Sequence, residues 1–80
     1  MKLIVYSKPG CPHCVKLEEI LNYLEFEITV YNLYEDFTKE EFYNKFGEGS
    51  TFPQVLNEHD TLGGAVDTIN YLKERDLCCQ

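Results

Sequence analysis

Positive charge is scarce in this chain. Seven lysines and arginines stand against fourteen acids, a formal net charge of −7 at pH 7 over 80 residues. That balance argues against indiscriminate binding to nucleic acid or to an anionic membrane, and leaves a basic partner as the charge match. No apolar run reaches the length of a membrane span, and the sequence opens on a strand-like stretch with no apolar leader or small-residue cleavage site. An intracellular, cytoplasmic setting is therefore expected, with the four cysteines mostly reduced. Internal repeats, linkers and low-complexity segments are missing, so residues 1–80 are read as a single domain with 77–80 as a flexible tail. A hydrophobic fraction of 44%, with six tyrosines and five phenylalanines, suffices for one packed core.

A second paired-cysteine motif is also missing. Cys78, Cys79, His13 and His59 do not combine with Cys11 and Cys14 at zinc-finger spacing, so a structural metal site is not expected. What remains is Cys11-Pro12-His13-Cys14, two thiols three apart with a proline at the first position of a helix. On one helical turn such thiols can close and reopen a small disulfide ring, which is the spacing for redox exchange. Cys11, at the helix start, faces outward-pointing N–H groups that favour its thiolate and make it the attacking sulfur. Cys14, one turn in, is the more buried resolving thiol. Lys8 is the nearest cation to Cys11; it is expected to favour the thiolate further and to receive an anionic substrate group.

Along the chain, Lys2 to Tyr6 reads as a central strand, and Val15, Leu17, Ile20, Leu21 and Leu24 form the apolar face of a helix from Pro12 to about Glu25. Phe26 to Asn32 alternates as an edge strand, parallel to the first. Thr38 to Glu41 has capping-box spacing for a helix running to Phe46, with Phe42 and Phe46 inward, and the glycines from Gly47 to Gly49 end it. Pro53 belongs just before a short strand, Gln54 to Leu56, where a cis bond is plausible; a polar turn at Asn57 to Asp60 then makes a hairpin. Gly63-Gly64 permits positive φ and close ligand approach at the start of a last helix, Ala65 to about Asp76.

In this order the chain resembles a small dithiol glutaredoxin over essentially its whole length. Three segments carry the likeness: Tyr6-Ser7-Lys8-Pro9-Gly10-Cys11-Pro12-His13-Cys14, Thr51-Phe52-Pro53-Gln54-Val55 and Gly63-Gly64-Ala65-Val66-Asp67. The resemblance implies an α/β thioredoxin fold, a four-stranded mixed sheet flanked by three helices in the order β-α-β-α-β-β-α. It implies a monomeric oxidoreductase that uses glutathione, and no metal, to reduce protein disulfides and glutathione mixed disulfides, with ribonucleotide reductase a possible protein substrate. Catalysis would fall to Cys11 and Cys14, tuned by Lys8, Pro12, His13 and Pro53. Glutathione would meet Lys8, His13, Thr51, the Phe52 backbone ahead of Pro53, and the helix start at Gly64, Val66 and Asp67, with Lys45 a weaker candidate.

Two positions depart from that pattern. His13 replaces a tyrosine and sets a second titratable group beside Cys11, implying a more acidic Cys11 and a more oxidising disulfide. Val66 replaces a polar residue and removes a hydrogen bond to the γ-glutamyl carboxylate. The alternatives are a glutaredoxin-like redoxin reduced by thioredoxin reductase and, in another class, an iron–sulfur cluster carrier. Against the second stand Pro12 and the thiol at Cys14.

Overall fold

A computed structural model describes residues 2–58 and 60–77, so His59 and the Cys78–Cys79 pair lie outside the described residues. Seven elements follow one another: β1 (Lys2–Ser7), α1 (Pro12–Tyr23), β2 (Glu27–Asn32), α2 (Lys39–Phe46), β3 (Gln54–Leu56), β4 (Thr61–Gly63) and α3 (Ala65–Glu74). The strands form one mixed sheet in the order β2-β1-β3-β4. β1 runs parallel to β2 and antiparallel to β3, and β4 returns antiparallel to β3. This is the thioredoxin fold expected from the element order, with β2 at an edge and β1 inside.

Alternation along β1 separates two layers. Leu3 and Val5 point into an aliphatic cluster with Leu17 and Leu21 of α1, Val55 of β3 and Leu72 of α3. Tyr6 points the other way, into an aromatic cluster built on Leu33, Phe37 and Phe42. Thus α1 and α3 cover one face and α2 the other, each fully buried aliphatic contributing about 1.5–3 kcal/mol. The capping box at α2 is present, with Thr38 Oγ1 accepting from the Glu41 N–H and the Glu41 carboxylate from the Thr38 N–H.

Three expectations need correction. Val15 is 55% exposed, because the buried stripe of α1 is Cys14, Leu17 and Leu21, and Val15 sits about 100° around the helix from Cys14. Both α1 and α3 stop two residues early. In each, a residue one past the cap turns left-handed, Glu25 at φ 64° and Asp76 at φ 54°. The next N–H then reaches back to the helix, Phe26 to Leu21 O at 3.1 Å and Leu77 to Leu72 O at 2.8 Å. These are Schellman closures made without glycine. The Leu77 N–H is thereby tied to α3.

Candidate functional site

β1 ends at Ser7, and the turn through Gly10, at φ 73°, delivers Cys11 to the N-cap of α1. Pro12 fills the first helical position, where its missing N–H costs nothing. Cys11 Sγ accepts from the Cys14 N–H at 3.3 Å, so the sulfur itself caps the helix and sits at the positive end of its dipole. The Cys14 thiol donates to Cys11 Sγ at 2.6 Å; both cysteines are free. Burial pushes the Cys14 thiol up from 9.0 to about 11, aided by its hydrogen bond to Cys11 and opposed by the Ser7 hydroxyl and the Lys8 backbone N–H. The geometry separates the two thiols: one caps a helix at the edge of a cavity, and the other, 1% exposed, is held protonated beneath it.

That cavity, about 530 Å³, is bordered by Cys11, Pro12 and His13 on one side and by Thr51 and Phe52 on the other. Phe52 precedes Pro53 through a cis peptide bond, and its ring stacks on Phe42 of α2 at 4.1 Å with an interplanar angle of 13°. The Lys8 ammonium lies 5.4 Å from the other partner, the Phe52 ring centroid. The aromatic layer under α2 therefore fixes the loop that walls the cavity. Lys8, the sequence candidate, is joined here by Lys39 and Tyr43, one turn apart on α2, with no acid in the lining. Lys39 and Tyr43 belong to none of the sequence motifs that mark the other lining residues. Their signal was the i, i+4 spacing from Lys39 on a helix whose apolar stripe is set by Phe42 and Phe46. Lys45 is a correction: it faces a separate depression with Tyr6, Tyr31 and Glu41, since two residues along from Tyr43 turns it about 200° away.

The start of α3 abuts the same loop but does not line the cavity. A Cβ on Gly64 would stand 3.6 Å from the Pro53 carbonyl oxygen, which places the helix start against Pro53. The Asp67 carboxylate turns back to accept from the Gly64 N–H at 3.3 Å. Val66, 73% exposed, joins His13 in a shallower groove of about 280 Å³ between α1 and α3. Lys8, His13, Thr51 and Phe52 of the sequence candidates therefore share one cavity, Pro53 is buried behind it, and Gly64, Val66 and Asp67 lie on its α3 flank. Among the described residues no cluster of three or more Cys, His, Asp and Glu is placed to hold a metal.

The family model named Glutaredoxin matches residues 3–59. Glutaredoxin 1 of Rickettsia prowazekii is 37% identical over 78 residues, covering 94% of this chain and 81% of its own length. The glutaredoxin of Haemophilus influenzae is 27% identical over 82 residues, with 94% of each chain covered. Among solved structures, reduced Escherichia coli glutaredoxin superposes with a TM-score of 0.80 at 25% identity, covering 98% of this chain and 100% of its own. A buckwheat glutaredoxin–glutathione complex shares the fold, with a TM-score of 0.78 at 19% identity over 94% of this chain and 71% of its own. Seated on the described site, these matches make the chain a member of the glutaredoxin family, a thiol-disulfide oxidoreductase of the thioredoxin superfamily.

Proposed function

We propose that this protein is a glutathione-dependent, dithiol thiol-disulfide oxidoreductase. The observation that carries the reading is the cavity at Cys11, of a size that suits a small ligand and with two lysines and no acid in its lining, in a chain of net charge −7. An anionic tripeptide matches it: carboxylate toward Lys8 and Lys39, backbone along Thr51 and Phe52, sulfur at Cys11. The buckwheat glutaredoxin of the same fold is a complex with glutathione, which supports glutathione as the ligand.

In the proposed cycle Cys11 Sγ attacks a substrate disulfide, and one substrate sulfur leaves with the bonding electron pair. Cys14 then attacks Cys11 Sγ, closing the protein disulfide and releasing the second sulfur. Two glutathiones return the pair to thiols, forming glutathione disulfide. A glutathione mixed disulfide needs Cys11 alone. Ribonucleotide reductase is a candidate protein substrate, and the protein is proposed to work as a monomer in the cytoplasm.

The test is turnover of a small glutathione mixed disulfide with glutathione, glutathione reductase and NADPH. Cys11→Ser is expected to bring the rate to background, and Cys14→Ser to keep a substantial part of it. Full activity in Cys11→Ser would refute the assignment. No turnover in the wild type, with direct reduction by thioredoxin reductase, would establish the redoxin alternative.

A further inference from the structure

Apart from the cavity at Cys11, the sheet face covered by α2 carries a second depression of about 480 Å³ that the proposed exchange does not use. The two share no lining residue. Three rings, two acids and one base line the second: Tyr6 of β1, Tyr31 of β2, Asp36 and Phe37 from the loop before α2, and Glu41 and Lys45 of α2. Tyr6 and Tyr31 are partners in the parallel register of β1 and β2, so both rings stand on one face of the sheet. Their centroids are 5.4 Å apart at 66°, and the Phe37 centroid is 4.9 Å from that of Tyr6. Phe37 is buried, Tyr6 half-buried and Tyr31 exposed, so the rings run from floor to rim.

Both acids are anchored through one oxygen. Asp36 Oδ2 accepts from the Asn32 N–H at 2.8 Å, and Glu41 Oε1 accepts from the Thr38 N–H at 2.9 Å in the capping box. The second oxygen of each carboxylate has no hydrogen-bond partner among the described residues, and neither acid has an ion pair there. Lys45 is exposed and unpaired with either acid, its ammonium 6.0 Å from the Phe46 ring centroid. The surrounding chain has the same sign: six of the fourteen acids and two of the seven bases fall between Glu27 and Glu48, and one of those bases, Lys39, lines the cavity at Cys11 instead. Tyr34 belongs to the loop of Asp36 and Phe37, its N–H donating to Phe37 O at 2.7 Å. It is held at φ 71° with its ring 70% exposed, a left-handed bulky residue turned to water, and tyrosine is a residue that protein interfaces favour.

We propose that this depression is a docking site for an arginine side chain presented by a basic segment of a partner protein. The planar guanidinium stacks on the exposed aromatic surface of Tyr6 and Tyr31 and donates to the carboxylate oxygens that Asp36 and Glu41 leave free. A lysine ammonium has no flat face to offer the rings and fewer donors for two acids. Lys45 is the competitor already in place. Its charge opposes the incoming cation, so it limits affinity instead of supplying it. Because the two depressions share no lining residue, filling this one does not fill the cavity at Cys11.

The test is an NMR titration of the isotope-labelled protein with the blocked peptide acetyl-Gly-Arg-Gly-Arg-Gly-amide. Its citrulline counterpart, which keeps the side-chain shape and loses the charge, is the control. The ring signals of Tyr6, Tyr31 and Phe37 should move with the arginine peptide and stay still with the citrulline one. Asp36→Asn and Glu41→Gln keep an amide oxygen to accept from the Asn32 and Thr38 N–H groups, so the fold is retained while the charge goes. Each should raise the dissociation constant about three- to fivefold. Lys45→Gln, which removes the competitor, should lower it by about twofold or more. Glu74→Gln takes the same charge from α3, on the other face of the sheet, and should change it by less than about 1.5-fold at about 0.15 M salt. Equal weakening in the Asp36, Glu41 and Glu74 variants would reduce binding to the general acidity of the chain and overturn the proposal. Unmoved ring signals, or an affinity unchanged or lower in Lys45→Gln, would overturn it as well.

Discussion

At the scale of single residues, the two thiols of the candidate site share a turn of helix, a hydrogen bond and burial, yet Cys11 borders the cavity and Cys14 does not. Cys14 is buried and its acidity is suppressed from 9.0 to about 11, which has a consequence for stability. Below about pH 9 the folded and unfolded chains both hold the proton, and the group contributes no pH dependence. Between 9.0 and about 11 the unfolded chain releases a proton that the folded chain retains. The unfolded state then binds fewer protons, so stability falls as pH rises through that window and levels off above it. Urea midpoints of the reduced protein, measured from about pH 8 to about pH 10.5, should fall more steeply for the wild type than for Cys14→Ser. Parallel slopes would show that Cys14 does not ionise in the way its burial dictates.

At the scale of elements, the helix ends separate what the sequence made legible from what it hid. The starts were marked by chemistry with few alternatives: Pro12 after Cys11, the Thr38 and Glu41 capping box, and the glycine pair before Ala65. The stop of α2 was equally plain, since Gly47 takes φ 101° where a side chain would be strained. The stops of α1 and α3 carried no such signal, because Glu25 and Asp76 occupy the left-handed position that glycine usually fills. For that reason the sequence pattern runs both helices two residues beyond their ends at Tyr23 and Glu74. Site residues from local motifs, Cys11, Cys14, Lys8 and Phe52, were readable, but Lys39 and Tyr43 were not, because they reach the cavity only once α2 packs over Phe52. The same strain gives a counterintuitive expectation. Glu25→Gly and Asp76→Gly should each stabilise the protein by about 0.5–1 kcal/mol, relief of left-handed strain outweighing the added freedom of the unfolded chain. Thermal midpoints should rise by several degrees; a decrease in both variants would show that these turns are unstrained.

For the molecule as a whole, the question is how a chain of charge −7 would handle the anionic substrate proposed for it. Lys8 and Lys39 line the cavity at Cys11, Lys16 and Lys73 line the groove between α1 and α3, and no acid lines either. Four of the seven bases thus border the two depressions that meet at His13. Two fields of opposite sign then act on an approaching anion. With Lys8 and Lys39 set apart, the fourteen acids and five remaining bases leave a net −9, which at the 12.1 Å radius of gyration repels a singly charged anion by about 3 kcal/mol in unscreened water. Two lysines at roughly 6 Å attract it by about 1.5 kcal/mol. Salt separates the two by range. At about 0.01 M the screening length of roughly 30 Å exceeds the molecule and both fields are felt, whereas at about 0.15 M it is roughly 8 Å and the lysines dominate. For glutathione disulfide kcat/KM is therefore expected to rise with added salt to a maximum near about 0.1 M and to fall beyond about 0.3 M as the lysines are screened in turn. A Lys8→Gln, Lys39→Gln double variant should keep the rise and lose the fall, with KM several-fold higher at the maximum. Cystamine, a disulfide with two cationic ends, should lose rate over the first interval in both proteins. A decline from the lowest salt onward, shared by wild type and double variant, would mean that the lysines in the cavity do not govern the approach of the anion.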